Sequence, residues 1–298
     1  MQDLIASRTA LATSLMRAAH SRLDPNPLID DPWGDRLVPE PVRELLRARA
    51  AAAISPDATV DDYLVASPAY ANVIMRTRYT EDALLAAVAR GVRQYVLIGA
   101  GFDSFALRRP SFAADLDIFE IDHPATQALK TAQIARVGSS LPGSVHFIAA
   151  DLSLRSVQES LSNSPFRADQ PALFSWLGVT MYLTKEANFA ALRSIASCGA
   201  PGSELAFTYI DVRVMTSTSE EYRELAQTVA SMGEPFLCGF DPKTIAEELR
   251  ACGLTLTEDL NNEQCAARYS RPDLNRGGPS RFSHIALARV GIATGSPP

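Results

Sequence analysis

The chain has 298 residues, 47% of them hydrophobic and 21% charged, with a formal net charge of −6. That balance supplies a full buried core, the profile of a soluble globular protein, and it argues against a nucleic-acid partner, because phosphate binding needs a basic surface and no dense Lys/Arg tract is present. The four cysteines, Cys198, Cys238, Cys252 and Cys265, form no C-x-x-C pair and have no histidine at zinc-finger spacing, so reduced thiols and no metal are expected.

The N-terminal segment MQDLIASRTALATSLMRAAHS has no basic start followed by an apolar run, so a signal peptide is not expected. No stretch approaches the ~18 uninterrupted apolar residues of a membrane span, and a cytoplasmic location is the expectation. Leu4, Leu11, Leu15 and Ala18 recur at near-helical spacing. LDPNPLIDDPW then breaks the helix with Pro and Asp. A second helix resumes at PEPVRELLRARAAAA with Pro41 in its first turn. A third opens near Ser67-Pro68 and runs through Tyr70, Ile74, Tyr79 and Leu84.

From Gln94 the pattern changes to alternating strands and helices. QYVLIGAG, LDIFEIDHP, SVHFIAADLS, PALFSWLGVTMYLT and GSELAFTYID read as five apolar strands, with helices at ATQALKTAQIARVG and from Asn188 to Cys198. Such alternation predicts an α/β fold with a doubly wound, mostly parallel sheet. After Asp211 come a polar helical stretch from Thr216 to Ser231 and a helix from Asp241 to Cys252, capped by Asp241 with Pro242 next. SRFSHIALARV is a final strand, and GIATGSPP a frayed tail. The whole reads as one domain: a helical cap over 1–90, a core over 91–210, a lid-like insertion over 211–275, and a last strand and tail over 276–298.

The first chemical signal is Gly99-Ala100-Gly101-Phe102-Asp103 directly after a strand, where glycines let backbone amides approach a ligand. Glu120 and Asp122 end the next strand about twenty residues on, where an acid accepts hydrogen bonds from ribose hydroxyls. These features suit a nicotinamide or an S-adenosylmethionine (SAM) cofactor equally. Two details favour SAM. Ser104 occupies the third glycine position of G-x-G-x-x-G, so the dinucleotide fingerprint is incomplete. Asp151, at the end of the third strand, can accept from an adenine amino group.

Arg76-Thr77-Arg78-Tyr79, GVRQYVLIGAGFDSFALR, FEIDHP, AADL and MYLT, together with MRAAHS and PFLCGFDPKTIAEELRACGL, resemble the leucine carboxyl methyltransferase-like superfamily, and within it bacterial polyketide O-methyltransferases of the tetracenomycin type. The resemblance spans nearly the whole chain. It implies a class I methyltransferase (Rossmann-like) fold with a helical N-terminal cap, SAM as cofactor, and O-methylation of a carboxylate or phenol on a small, polyketide-like secondary metabolite. Carried over by position, Arg76 pairs with the methionyl carboxylate. Gly99, Ala100, Gly101 and Asp103 line the cofactor, Asp122 with Glu120 and His123 surrounds the ribose, and Asp151 with Leu152 faces the adenine. Leu177 and Gly178 complete the cofactor side. Two positions depart from the family pattern: Leu177 stands where an acid is frequent, and Phe105 where an arginine is frequent. A homodimer stays open.

A carboxylate acceptor is ionised at neutral pH and needs no general base, whereas a phenol, with a pKa near ~10, benefits from one. Candidate acceptor-side residues are Arg17, His20, Tyr182, Tyr209 and Arg213, with Arg17 first, and Arg78 second, as a counter-charge for an incoming acid. Phe236, Leu237, Phe240 and Tyr269 are candidates for an aromatic acceptor pocket. His284 is expected to pack in the last strand. The rival readings are a nicotinamide-dependent oxidoreductase, against which no Tyr-x-x-x-Lys pair is found, and a non-catalytic scaffold that keeps the fold and the cofactor.

Overall fold

The computed structural model describes residues 8–216, 223, 236–274 and 282–291. Five helices precede the first strand: α1 (Arg8–Leu23), α2 (Gly34–Leu37), α3 (Glu40–Ala53), α4 (Val60–Ala66) and α5 (Tyr70–Ala89). The periodicity that predicts α1 is what buries it. Leu11, Leu15, Met16, Ala18 and Ala19 are all buried, and Leu11, Leu15 and Met16 pack in one apolar cluster with α2 to α5 and with Phe102 of the glycine loop. Pro41 falls in the first turn of α3, as expected. A capping box between Thr59 and Asp62 starts α4, satisfying amides that the helix leaves without partners.

Gly34 seats this cap. A β-carbon there would lie 2.2 Å from the backbone oxygen of Ser14 in α1, and backbone cannot swing aside as a flexible side chain can. Gly34→Ala is therefore expected to destabilise the protein by about 1–3 kcal/mol, the usual range for overpacking. Thermal unfolding measures it, and an unchanged midpoint would show that α1 and α2 are not pressed together.

The core is a seven-stranded sheet of β1 (Gln94–Ile98), β2 (Asp117–Asp122), β3 (Val145–Ala149), β4 (Ala172–Trp176), β5 (Glu204–Ile210), β6 (Leu254–Asn261) and β7 (Ser283–Val290), in the order β3-β2-β1-β4-β5-β7-β6. Strands β1 to β5 pair in parallel, and β7 runs antiparallel between β5 and β6. Helices α6 (Phe105–Arg108), α7 (Pro124–Arg136), α8 (Val157–Leu161) and α9 (Lys185–Cys198) form the connections between the parallel strands. β1, β4 and β5 are buried throughout, which explains their continuous apolar runs. This is the class I methyltransferase fold with mostly parallel sheet that the resemblance implies. Strand order reverses between β1 and β4, and open α/β sheets bind ligands outside the carboxyl ends of the strands at that point.

Two expectations change beyond β5, and a third falls outside the described residues. Residues 254–261 form β6, a strand not anticipated from the sequence, although Leu254-Thr255-Leu256-Thr257 alternates as a half-buried strand does. The helix expected from Asp241 to Cys252 spans only Ile245–Ala251. Asp241 instead accepts the Lys243, Thr244 and Ile245 amides in a preceding turn. The helix expected over Thr216 to Ser231 lies, apart from Thr216 and Arg223, outside the described residues, as does the tail after residue 291.

Candidate cofactor site

A cavity of about 570 Å³ opens at the carboxyl ends of β1 and β4. Its floor is Leu97, Ile98, Gly99, Ala100 and Gly101 after β1, with Ser175, Leu177 and Gly178 after β4. Gly99, Gly101 and Gly178 all adopt positive φ, the region L side chains avoid. At two of them close approach also requires glycine. A β-carbon on Gly99 would lie 2.6 Å from the Val179 side chain, and one on Gly101 would lie 2.9 Å from Ala10 of α1. Helix α1 thus rests directly on the glycine loop, and its Thr9, Ala10, Thr13 and Arg17 line the cavity. None but Arg17 was anticipated from the sequence.

Asp122 ends β2 at the cavity wall. One carboxylate oxygen accepts the Gly101 amide, and the other accepts the His123 amide at 2.6 Å. Burial raises its pKa above the ordinary carboxylate value, outweighing those two hydrogen bonds. His123 caps α7, its Nδ1 accepting the Ala125 amide at 3.3 Å. Asp151 lies farther along the cavity with Leu152 and Ser153. Its Oδ1 accepts both the hydroxyl (2.6 Å) and the amide (2.9 Å) of Ser153, which hold its pKa low. Asp103 also lines the cavity and accepts the Phe105 amide at 2.7 Å.

Arg76 enters from α5. Its guanidinium lies against Gly178, where a β-carbon would sit 2.8 Å from Nη1, and it donates to Asn72 at 3.4 Å. Among the described residues it forms no ion pair with a carboxylate. Burial, with the nearby Arg17 charge, lowers its pKa to about 10, so it is still protonated at neutral pH. The nearby Asp103 charge opposes that lowering, but a half-buried cation with no directly paired anion is still costly. This one faces a cavity where an anion would satisfy it.

Several sequence candidates lie elsewhere. Glu120 is on the same face of β2 as Asp122 but two residues, roughly 6–7 Å, short of the strand end. There it is buried in an ion pair with Lys130 of α7, so the structure does not bring it to the cavity. His20 is fully buried. Its Nε2 accepts the Leu28 amide at 3.0 Å, which leaves Nδ1 to donate to the Tyr70 hydroxyl at 3.1 Å; with both nitrogens engaged it is no general base. Tyr209 lies within the sheet, donating to Asp259 at 2.7 Å and stacked on His284 at 4.7 Å, so His284 packs as expected. Arg213 pairs with Asp211 and does not line the cavity. Arg78 is held by Asp82 and the Leu28 carbonyl. Arg17 does line the cavity, but its charge is met by Asp31 at 2.7 Å, which removes it as a free counter-ion for an incoming acid.

Tyr182, Leu183 and Leu237 also line the cavity, with Phe236 tilted against Tyr182 at 6.0 Å between ring centres. Phe240 is instead in the sheet core, and the Tyr269 hydroxyl donates to Asp82.

Comparison with known proteins agrees with this geometry. The model of the leucine carboxyl methyltransferase family matches residues 10–196, from α1 through α9. A candidate S-adenosylmethionine-dependent methyltransferase of Bacillus subtilis is 33% identical over 190 residues, a match covering 63% of this chain and 62% of that protein. Another from Mycobacteroides abscessus is 31% identical over 287 residues, covering 93% and 92%. The crystal structure of a candidate methyltransferase from Thermobifida fusca superposes with a TM-score of 0.58 at 16% identity, covering 93% and 95% of the two chains; that similarity speaks to fold. The nicotinamide reading is set aside by these matches. The chain belongs to the leucine carboxyl methyltransferase family, and with it to the S-adenosylmethionine-dependent methyltransferases.

Proposed function

We propose that the cavity transfers a methyl group from SAM to an oxygen, carboxylate or phenolate, of a small polyketide-like acceptor. The observation that carries the cofactor placement is Arg76, a protonated guanidinium without an acid partner at one side of a cavity otherwise lined by Asp122 and Asp151. The fit follows from the donor set. Arg76 takes the methionyl carboxylate through its planar fork, and the Gly99-Ala100-Gly101 backbone leaves room beside Asp103. Asp122, next to His123, would accept the ribose hydroxyls; Asp151 and Leu152 would hold the adenine; Leu177 and Gly178 belong to the floor beneath. When bound, SAM supplies an activated methyl on a sulfonium.

The protein's task is alignment and exclusion of water. Helix α1 of the cap and Leu237 line the cavity with Tyr182, and these would cover the acceptor. Among the described cavity residues no histidine is oriented by a carboxylate as a general base would be. An acceptor already ionised suits that arrangement, which keeps a carboxylate ahead of a phenol.

The pH profile of methyl transfer tests the acceptor. With matched carboxylic and phenolic compounds, S-adenosylhomocysteine release is followed from pH 6 to 9. A flat rate on the acids and a hydrolysable ester product are expected, because a carboxylate of pKa near ~4 is ionised throughout. A rate climbing through pH 8 to 9, with a base-stable ether, would overturn the carboxylate preference.

A further inference from the structure

The buried carboxylate of Asp31 sits where the cap meets the glycine loop. It is fully buried and belongs to the Pro/Asp-rich turn after α1. From the cap it accepts Arg17 Nε at 2.7 Å and the Trp33 amide at 3.2 Å. From the core, Arg108 Nε lies 3.9 Å away, and the Ser104 hydroxyl helps to lower the pKa of the carboxylate. Ser104 in turn accepts Arg108 Nε at 3.1 Å, and Arg108 is anchored to Glu81 of α5. The other arm of Arg17 donates through Nη2 to the carbonyl of Phe102 at 2.7 Å, inside the loop Gly99–Asp103. Burial by itself would raise the Asp31 pKa, yet Arg17 and Arg108 hold it below the ordinary carboxylate range, so the centre is charged at neutral pH.

The serine that breaks the dinucleotide fingerprint thus has a use of its own. A glycine at position 104 would remove the hydroxyl that holds Arg108 Nε beside Asp31, leaving Arg17 on the Phe102 carbonyl to link the cap to the loop.

We infer that Asp31, acting through Arg17 and Ser104, is a positioning residue that couples docking of α1 to the conformation of the glycine loop. It does not touch the reacting atoms. It fixes the Phe102 carbonyl, and through Ala10 against Gly101 the loop and α1 hold each other in place. Cofactor binding to the loop then favours the docked cap, and a docked cap favours binding by the same factor, as linkage requires. The inference rests on the cofactor placement above only for this last step.

Hydrogen exchange on the intact protein, without ligand and with S-adenosylhomocysteine, tests it. Ser104→Ala removes one buried hydroxyl, Arg17→Lys shortens the bridge, and Ser104→Thr keeps the hydroxyl as the conservative control. Without ligand, Ser104→Ala is expected to speed exchange in residues 8–23 and 99–105 together, by about tenfold, with β5 and β7 unchanged and Ser104→Thr restored. With S-adenosylhomocysteine, Ser104→Ala should lose affinity and cap protection by similar factors. Faster exchange in α1 alone, or unchanged affinity with a loosened cap, would overturn the coupling. If Arg17→Lys does not fold, Ser104→Ala decides. If the natural protein shows no response to S-adenosylhomocysteine, the cofactor placement fails, and the ligand-free comparison still decides whether cap and loop move as one.

Discussion

Arg76→Met is expected to abolish cofactor binding while leaving the ligand-free protein at least as stable as the natural one. The two effects separate because, among the described residues, the guanidinium is ion-paired with no carboxylate and its side-chain hydrogen bond is a long one to Asn72. Removing an uncompensated buried cation relieves a desolvation cost, and methionine preserves much of the apolar stem. The ligand, however, loses a charge-assisted, two-armed partner. At about 1.5–3 kcal/mol for each hydrogen bond to a charged group, a loss near 3 kcal/mol or more is expected, a weakening of about a hundredfold or more. Arg76→Lys keeps the charge without the fork and should fall between. Calorimetry for affinity and thermal unfolding for stability read the two arms. A folded Arg76→Met variant with unchanged affinity would mean that the methionyl carboxylate is bound elsewhere; a large loss of ligand-free stability would mean that Arg76 is structural.

Asp122→Ala has the second largest expected effect. Its carboxylate bridges the amides of Gly101 and His123 and faces the cavity, so the substitution removes both the ribose acceptor and a tie on the glycine loop. Two hydrogen bonds to a charged acceptor are worth about 3 kcal/mol or more together, again about a hundredfold in affinity. The pH dependence carries a signature. Burial raises the pKa of Asp122 above its ordinary value, so protonation on acidification sets in at a higher pH than for an exposed aspartate. SAM affinity should therefore begin to fall above the usual carboxylate range, and that limb should vanish in Asp122→Ala. The sign for folding is the opposite. An acid whose folded pKa is raised favours the fold below its unfolded pKa and loses that contribution as pH rises through the folded value. Acid thus weakens the binding contribution while easing the folding cost of this one residue. Unchanged affinity in a folded Asp122→Ala variant would place the ribose contact elsewhere; Glu120 is no substitute, since Lys130 occupies it.

The parallel half of the sheet is legible because β1, β4 and β5 are buried throughout and its strands read as largely apolar runs, even at half-buried β3 on the edge. Strand β6 is hard to read at the sheet edge, because five of its eight positions carry polar residues. The cofactor wall was legible for the same reason as the strands: Gly99, Asp122 and Asp151 mark strand ends by their place in sequence. What sequence did not supply was pairing at a distance. Nothing local reveals that Arg17 meets Asp31, that Tyr209 is spent on Asp259, or that the two nitrogens of His20 are both occupied. Each of those side chains has the right chemistry for an acceptor site, and each is committed by a residue from another element. Glu120 shows the finer limit. One strand repeat separates an acid at the ligand from an acid buried beneath a helix.

Titration calorimetry with SAM and with NAD, on the same preparation at neutral pH, tests the central claim most directly. One SAM bound per chain, with no heat from NAD and none from SAM in Arg76→Met, is the predicted result. Tight NAD binding, or no SAM heat with the natural protein, would contradict it.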